Sequence, residues 1–222
     1  MPTDVDDVYT RVYDAVLEQR LLPGTKLPEE RLAEIFSVNR ARIRQVLARL
    51  QHERIVDLVP NRGAFVARPT AEESDDVLEA RRVIEPAVLR RLVERATTTD
   101  LDHLDEHVAA ERRSHHDGLE AEAIRLSGEF HNLLADLAGN TALAHTMREL
   151  SALTCLVILV HHAPTASACR PDDHESILRA VRDRDADAAV AAVLTHLDLV
   201  GASLTFTETG SDADLDAVFA SR

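Results

Sequence analysis

Residues 27–66, LPEERLAEIFSVNRARIRQVLARLQHERIVDLVPNRGAFV, decide the fold. Pro28 followed by Glu29 and Glu30 suits a helix start: proline is tolerated where an amide has no helical partner, and carboxylates favour the positive end of the helix dipole. Leu32, Ala33 and Ile35 give this short helix an apolar face. A turn at Ser37, Val38 and Asn39 leads into a second helix with Ile43, Val46, Leu47 and Leu50 at helical spacing. Asn39, Arg40, Arg42 and Arg44 then lie near its N-terminal end. The β-rich residues 55–59, a turn over Pro60, Asn61, Arg62 and Gly63, and residues 64–66 make a hairpin with a basic tip. Helix, turn, arginine-bearing helix and hairpin follow the order of a winged helix-turn-helix, in which the second helix offers side chains to base edges and phosphates in a major groove.

Charge is placed to match. The chain has a formal net charge of -14, which taken alone argues against nucleic acid. Residues 1–70, however, hold 11 Lys+Arg and 10 Asp+Glu, while residues 71–222 hold 14 and 29. Between Arg31 and Arg68, eight arginines stand against Glu34, Glu53 and Asp57. A basic stripe on a near-neutral module suffices for phosphate contacts, and the acidic remainder is repelled by DNA. Without tryptophan and with few other aromatics, the chain lacks the stacking platforms of a single-strand binder.

The composition changes at Pro69-Thr70, so two domains are expected, residues 1–70 and residues 71–222, with about 208–222 a loosely held tail. Beyond residue 70 the pattern is helical, with apolar residues every three or four positions over 71–96, 100–115, 119–138, 142–162, 171–182 and 186–205. This predicts an all-α bundle of about six helices. Pro86 is expected to kink the first of them. The N-terminus has neither a basic start nor an apolar stretch, and the longest apolar run, 152–160, is too short to span a bilayer; the expectation is a cytoplasmic protein with no membrane partner. Cys155 and Cys169, without a CxxC, indicate neither a disulfide framework nor a cysteine zinc site.

Three histidines lie on apolar helix faces: His131 with Leu134 and Ala138, His174 with Ile177, Leu178 and Val181, and His196 between Val193 and Val200. A buried imidazole needs a partner. Each taken alone reads as a hydrogen-bonded core histidine; together they suit a divalent metal, zinc or similar, held by three nitrogens. His103-Leu104-Asp105-Glu106-His107 fits the H-x-x-E-H pattern of a zinc peptidase class, but the pair sits beside, not on, the apolar face of Leu101, Leu104 and Val108. His161-His162 closes a helix, where imidazole suits the negative dipole end. No phosphate-binding glycine loop and no G-x-S-x-G element is present.

The first part of the chain resembles the winged-helix domain of GntR-family transcription regulators, on Leu22-Pro23-Gly24-Thr25-Lys26-Leu27-Pro28, Leu32-Ala33-Glu34, Val38-Asn39-Arg40, Arg44 and Arg62-Gly63. The resemblance implies that Arg40 and Arg44 contact DNA, with Arg42 on the same surface, that Asn39 and Ala41 sit at the groove edge, and that Arg62 and Gly63 form the wing tip. Arg42 stands where many members have Pro and Gln45 where many have Glu, departures that bear on the operator sequence. The second part resembles the FCD-type effector domain of the FadR-like branch, on residues 81–86, Phe130-His131, Gly139-Asn140, His174-Glu175 and His196-Leu197. There the resemblance implies a metal held by His131, His174 and His196, with Ser127 at the position of the usual Asp ligand. It also implies an effector pocket of Arg81, Ser127, His131, His174 and His196. Arg81 would pair a ligand carboxylate or, alternatively, form a salt bridge within its helix.

The resulting expectation is a mainly α protein, a homodimeric repressor that binds a double-stranded DNA operator and answers to a small organic-acid effector, and not an enzyme. The alternative is a metal-dependent enzyme built on the three histidines, against which the basic recognition surface speaks. A DNA-binding architectural protein would leave Arg81 and the histidines without purpose.

Overall fold

The computed structural model describes residues 4–18, 20–161, 171–205 and 214–219. In chain order the elements are α1 (Val5–Leu17), β1 (Lys26–Leu27), α2 (Glu29–Ile35), α3 (Arg40–His52), β2 (Val56–Val59) and β3 (Gly63–Val66). They continue with α4 (Ala71–Arg95), α5 (Thr98–His116), α6 (Glu120–Leu137), α7 (Thr141–His161), α8 (Pro171–Arg182), α9 (Ala186–Ser203) and α10 (Leu215–Phe219).

The turn between α2 and α3 is set by local chemistry. Ser37 takes a left-handed φ of 53°, and the extended Asn39 caps α3 by accepting the Arg42 amide on Oδ1 at 3.0 Å. Such a cap contributes about 1 kcal/mol. Asn61 at φ 61° and Gly63 at φ 100° reverse the chain at the wing tip, where the left-handed region favours Asn and Gly. The wing has three strands, not two: β1 pairs antiparallel with β3, as Lys26↔Phe65 and Leu27↔Ala64, in the order β1-β3-β2. In β2 and β3, Val56 pairs with Val66 and Val59 with Gly63.

All six expected helices of the second part are present. A capping box of Thr70 and Glu73 starts α4 directly after the wing, and one of Thr97 and Asp100 starts α5. Pro86 lies inside α4, which continues to Arg95. Gly128 on α6 admits α7 at close range, since a Cβ there would meet the Cys155 sulfur at 2.7 Å.

Two main cores result. One gathers Val8, Val12, Leu32, Phe36, Ile43, Leu47, Leu50 and Val66 of the winged helix and continues into Ala152 and Leu156 of α7. The other fills the bundle with residues such as Leu89, Leu92, Phe130, Leu134, Met147, Ile177, Val181 and Val193. Helix α7 therefore serves both, burying one part of its length against the winged helix. By length and composition α7 and α9 are apolar enough to cross a membrane, beyond what the short apolar run of residues 152–160 suggests. Both carry long buried faces in the fold, Ala152 to Ile158 in α7 and Val193, Leu197 and Val200 in α9.

The expectation of a loose tail from about residue 208 is corrected for its described part. Leu215 and Phe219 of α10 are buried in the winged-helix core, and the Phe219 ring meets Phe36 edge-on at 4.9 Å. Arg31 pairs with Asp216, and Arg20 Nη1 donates to the Val218 carbonyl at 3.0 Å. The segment is held because burying two large side chains offsets the ordering of a short helix.

Candidate nucleic-acid interface and buried histidine centre

α3 buries Ile43, Val46, Leu47 and Leu50 and turns Asn39, Arg40, Ala41, Arg42 and Arg44 to solvent. Arg62 and Gly63 are exposed at the wing tip, with the Arg62 guanidinium 5.7 Å from the Phe65 ring centre. Two arginines of the helix are held by carboxylates of α2. Arg44 Nε donates to Glu29 Oε2 at 2.7 Å, and Arg40 Nη1 donates to Glu30 Oε1 at 2.6 Å. Exposed pairs of this kind are worth about 0–1 kcal/mol each, so a phosphate or base edge can replace the carboxylate at small cost. Sequence reasoning named the arginines and missed these two partners.

Inside the bundle, His131 of α6, His174 of α8 and His196 of α9 come together, all at or below 2 % exposure, with ligand-capable atoms within 4.8 Å of one another. Their rings are in mutual contact, and Phe130 stacks on His174 at 4.3 Å. A carboxylate is hydrogen-bonded behind two of the rings, and a third lies farther from His196, whose Nδ1 has no hydrogen-bond partner among the described residues. His131 Nδ1 lies 2.8 Å from Glu85 Oε2, His174 Nδ1 lies 2.7 Å from Glu111 Oε2, and His196 Nδ1 lies 3.5 Å from Asp173 Oδ2. Where an imidazole donates Nδ1–H to a carboxylate, Nε2 keeps its lone pair for a ligand. The Nε2 atoms of His131 and His196 face each other at 3.3 Å, and His174 Nε2 is buried without a hydrogen-bond partner among the described residues.

The electrostatics fit neutral imidazoles. Burial holds His131 and His174 well below the ordinary histidine range, with Arg81 adding to the effect on both and His196 on His174. Burial alone would raise the Glu85 carboxyl, but Arg81 and His131 hold it well below the usual carboxylate range. Glu111 is pushed up to about 7 by burial, against the pull of His115, His107 and His196. Glu85 thus stays ionised, and Arg81 is its counter-charge through Nε donating to Glu85 Oε1 at 2.6 Å. Arg81 Nη2 remains buried and without a hydrogen-bond partner among the described residues. The two roles expected for Arg81, helix salt bridge and anion acceptor, are therefore compatible in one side chain.

Arg81, Ser127, His131 and His196 line a narrow cavity together with Gly128, Ser151, Thr154 and Cys155, with room for about one water molecule. His174 is not part of its wall. Ser127, expected from the resemblance at the place of an Asp ligand, faces the same space as His131 and His196 and supplies a hydroxyl there. The imidazole donors, their carboxylate partners and the unpaired buried nitrogens suit a divalent cation of the zinc type.

Sequence reasoning missed Glu85, Glu111 and Asp173 as partners. One signal was readable: Glu111 continues the apolar face of α5 after Leu104 and Val108, a position where a carboxylate is costly without a partner. The H-x-x-E-H histidines take no part. His107 Nε2 contacts the Leu126 carbonyl at 2.7 Å, a link from α5 to α6. His161 Nε2 is 2.7 Å from the Pro69 carbonyl, tying the end of α7 to the segment that follows the wing. His162 and Cys169 lie outside the described residues.

A three-stranded winged helix with an exposed arginine face, set against an all-α module with a polar centre, defines a transcription regulator of two functional parts. Residues 5–66 match the gntR family of bacterial regulatory proteins, and residues 76–199 match the FCD domain. The chain belongs to the GntR family, in its FCD-bearing, FadR-like branch. The transcriptional repressor NanR of Klebsiella aerogenes is 30% identical over 207 residues, covering 81% of this chain and 77% of that protein. The repressor RspR of Escherichia coli K12 is 27% identical, covering 83% of this chain and 81% of RspR. Among solved structures, a GntR transcriptional regulator from Rhodococcus sp. RHA1 superposes with a TM-score of 0.76 at 24% identity, over 89% of this chain and 95% of that one, a likeness of fold.

Proposed function

We propose that this regulator is a cytoplasmic, homodimeric repressor with no catalytic activity, divided at about residue 70 into a DNA-binding part and an effector-binding part. Asn39, Arg40, Ala41, Arg42 and Arg44 meet the major groove, and Arg62 and Gly63 of the wing meet the flanking backbone. His131, His174 and His196 hold a divalent metal, and a small organic acid is received beside it by Arg81 and Ser127. The bound cation supplies a Lewis-acidic position for a ligand oxygen. The chain's own residues do the rest: Glu85 and Glu111 orient two of the rings, and Arg81 offers a second charge-assisted donor to the acid.

The observation that carries this reading is the buried arrangement in which His131 and His174 each have a carboxylate at Nδ1, His196 Nδ1 lies 3.5 Å from Asp173, and Arg81 keeps a nitrogen without a hydrogen-bond partner among the described residues. The cavity's small size implies that an organic acid enters by moving α6 or α7. Because α7 is packed against the winged helix, that movement reaches the DNA-binding surface. An effector acts only through its different affinity for the two arrangements. NanR and RspR carry the word repressor in their names, which supports the sign.

The test is a thermal-shift series on untagged protein, stripped or loaded with zinc, against a panel of mono-, di- and hydroxy-carboxylates. Selective stabilisation by one acid class that requires zinc, and is lost in Arg81→Ala, is the expected result. Equal responses of stripped, loaded and Arg81→Ala protein would overturn the effector site.

A further inference from the structure

A second set of metal-ligating groups lies outside the bundle centre, where the last residue of the recognition helix comes near α7. His52 is the last residue of α3, and His145 and Glu149 stand one turn apart on α7. The His145 Nε2 to Glu149 Oε1 distance is 3.3 Å, and ligand-capable atoms of all three residues lie within 4.8 Å of one another. Donors around one tetrahedral zinc at about 2.0–2.1 Å stand roughly 3.3 Å apart, so the helix pair already has the required separation. His52 and His145 are exposed, and rotamer adjustment at the surface closes the remaining distance cheaply.

The surroundings favour a cation. His52 ends α3, with Glu53 as its C-cap, so the negative end of the helix dipole faces the cluster. The same three residues line a groove shared with Tyr9, Tyr13, Glu53 and Asn132 and with two arginines whose charges are already paired, Arg49 with Asp6 and Glu53 and Arg148 with Asp136. Asn132 Oδ1, on its wall, is buried without a hydrogen-bond partner among the described residues. Two imidazoles and one carboxylate are a donor set for zinc-like cations, not for magnesium or calcium, which take oxygen ligands.

We propose that His52, His145 and Glu149 form a second, surface metal site for a borderline divalent cation such as zinc, one that clamps the C-terminal end of the recognition helix to α7. Helix α7 also carries Ser151 and Thr154 of the effector cavity wall, so the clamp lies on the helix shared by both parts. The site stands independently of the buried histidine centre: the two share no residue.

The test uses the untagged full chain, stripped by chelator and titrated with zinc by calorimetry and with cobalt by visible absorption. Wild type should take two equivalents per chain and His52→Ala or His145→Ala one, with Glu149→Gln at least about ten-fold weaker at the outer site. In a His174→Ala background one equivalent should remain, with a zinc-dependent rise in melting temperature that His52→Ala removes. If the buried centre takes no metal, the wild-type count becomes one and the His52→Ala count zero, so the two readings fail separately. Should His174→Ala not fold, the wild-type comparison alone decides. Identical stoichiometry and affinity in wild type, His52→Ala and His145→Ala would overturn the site. Zinc-driven association into larger particles that depends on His145 would overturn the clamp within one chain.

Discussion

His131 and His196 set their Nε2 atoms 3.3 Å apart inside the bundle, while the opposite nitrogen of His131 faces Glu85 at 2.8 Å. With the His131 proton held on the carboxylate side, its inner lone pair points at a second imidazole in a buried site, where either the Nε2–H of His196 or a cation can lie between them. Zinc in excess should therefore raise the melting temperature of stripped protein, by mass action equivalent to about 2.7 kcal/mol at one hundred times the dissociation constant. His131→Ala should lose the buried equivalent but keep the surface one. Scanning calorimetry with parallel metal analysis checks this, and an unchanged zinc count in His131→Ala would remove His131 from the ligand set.

Arg44→Ala should weaken operator binding by about 1–3 kcal/mol per half-site if the guanidinium reads a base bidentately. Glu29→Gln should act in the opposite direction. It frees Arg44 from a competing carboxylate worth about 0–1 kcal/mol, and operator affinity should rise by up to about five-fold. Fluorescence anisotropy at fixed salt reads both, with circular dichroism as the check on folding. Tighter binding by Arg44→Ala would contradict the assignment.

Asp57 on β2 and Glu73 at the start of α4 give a pH test of the junction. Asp57 is an exposed residue of β2, and its carboxyl is raised from its ordinary value by partial burial first and by the nearby Glu73 charge second. A raised folded-state value favours the protonated form, so this contribution to stability is fully present below the unfolded value and lost as pH rises through the folded one. Asp57→Asn should accordingly raise the melting temperature at pH 7, with the gain shrinking towards zero as the pH approaches about 4. A gain that grows on acidification would reverse the sign of the argument.

Phe219→Ala should detach α10 from Phe36 and destabilise the protein by about 1–3 kcal/mol, the worth of one large apolar side chain. Chemical denaturation measures this, and limited proteolysis should show faster loss of the C-terminal end. Unchanged stability would show that α10 contributes nothing to the winged-helix core.

The winged helix was legible because individual residues constrain their own backbone: Asn39 caps, Asn61 and Gly63 accept left-handed φ, and Pro28 precedes a helix start. The bundle helices were legible from their apolar period, and that same period placed the three histidines on inward faces. What was hidden depends on distant pairing. β1 is two residues long and shows no alternation until Lys26 meets Phe65. α10 is too short for a period, and its partner Phe36 lies far away in sequence. Glu111 meets His174 across 63 positions, and His52 comes near His145 only through the fold, at the end of α3. Charge pattern pointed to the arginines as a free basic face, whereas Glu29 and Glu30 already occupy two of them.

The central claim, operator binding controlled through the bundle, is tested most directly by the affinity of zinc-loaded protein for its selected operator duplex, measured with and without the acid that stabilises it. Binding should be specific and fall by about 10³-fold or more between 50 and 200 mM salt. The acid should weaken it at least about ten-fold in wild type and leave Arg81→Ala unmoved. An operator affinity that no acid changes, in loaded and stripped protein alike, would contradict the account.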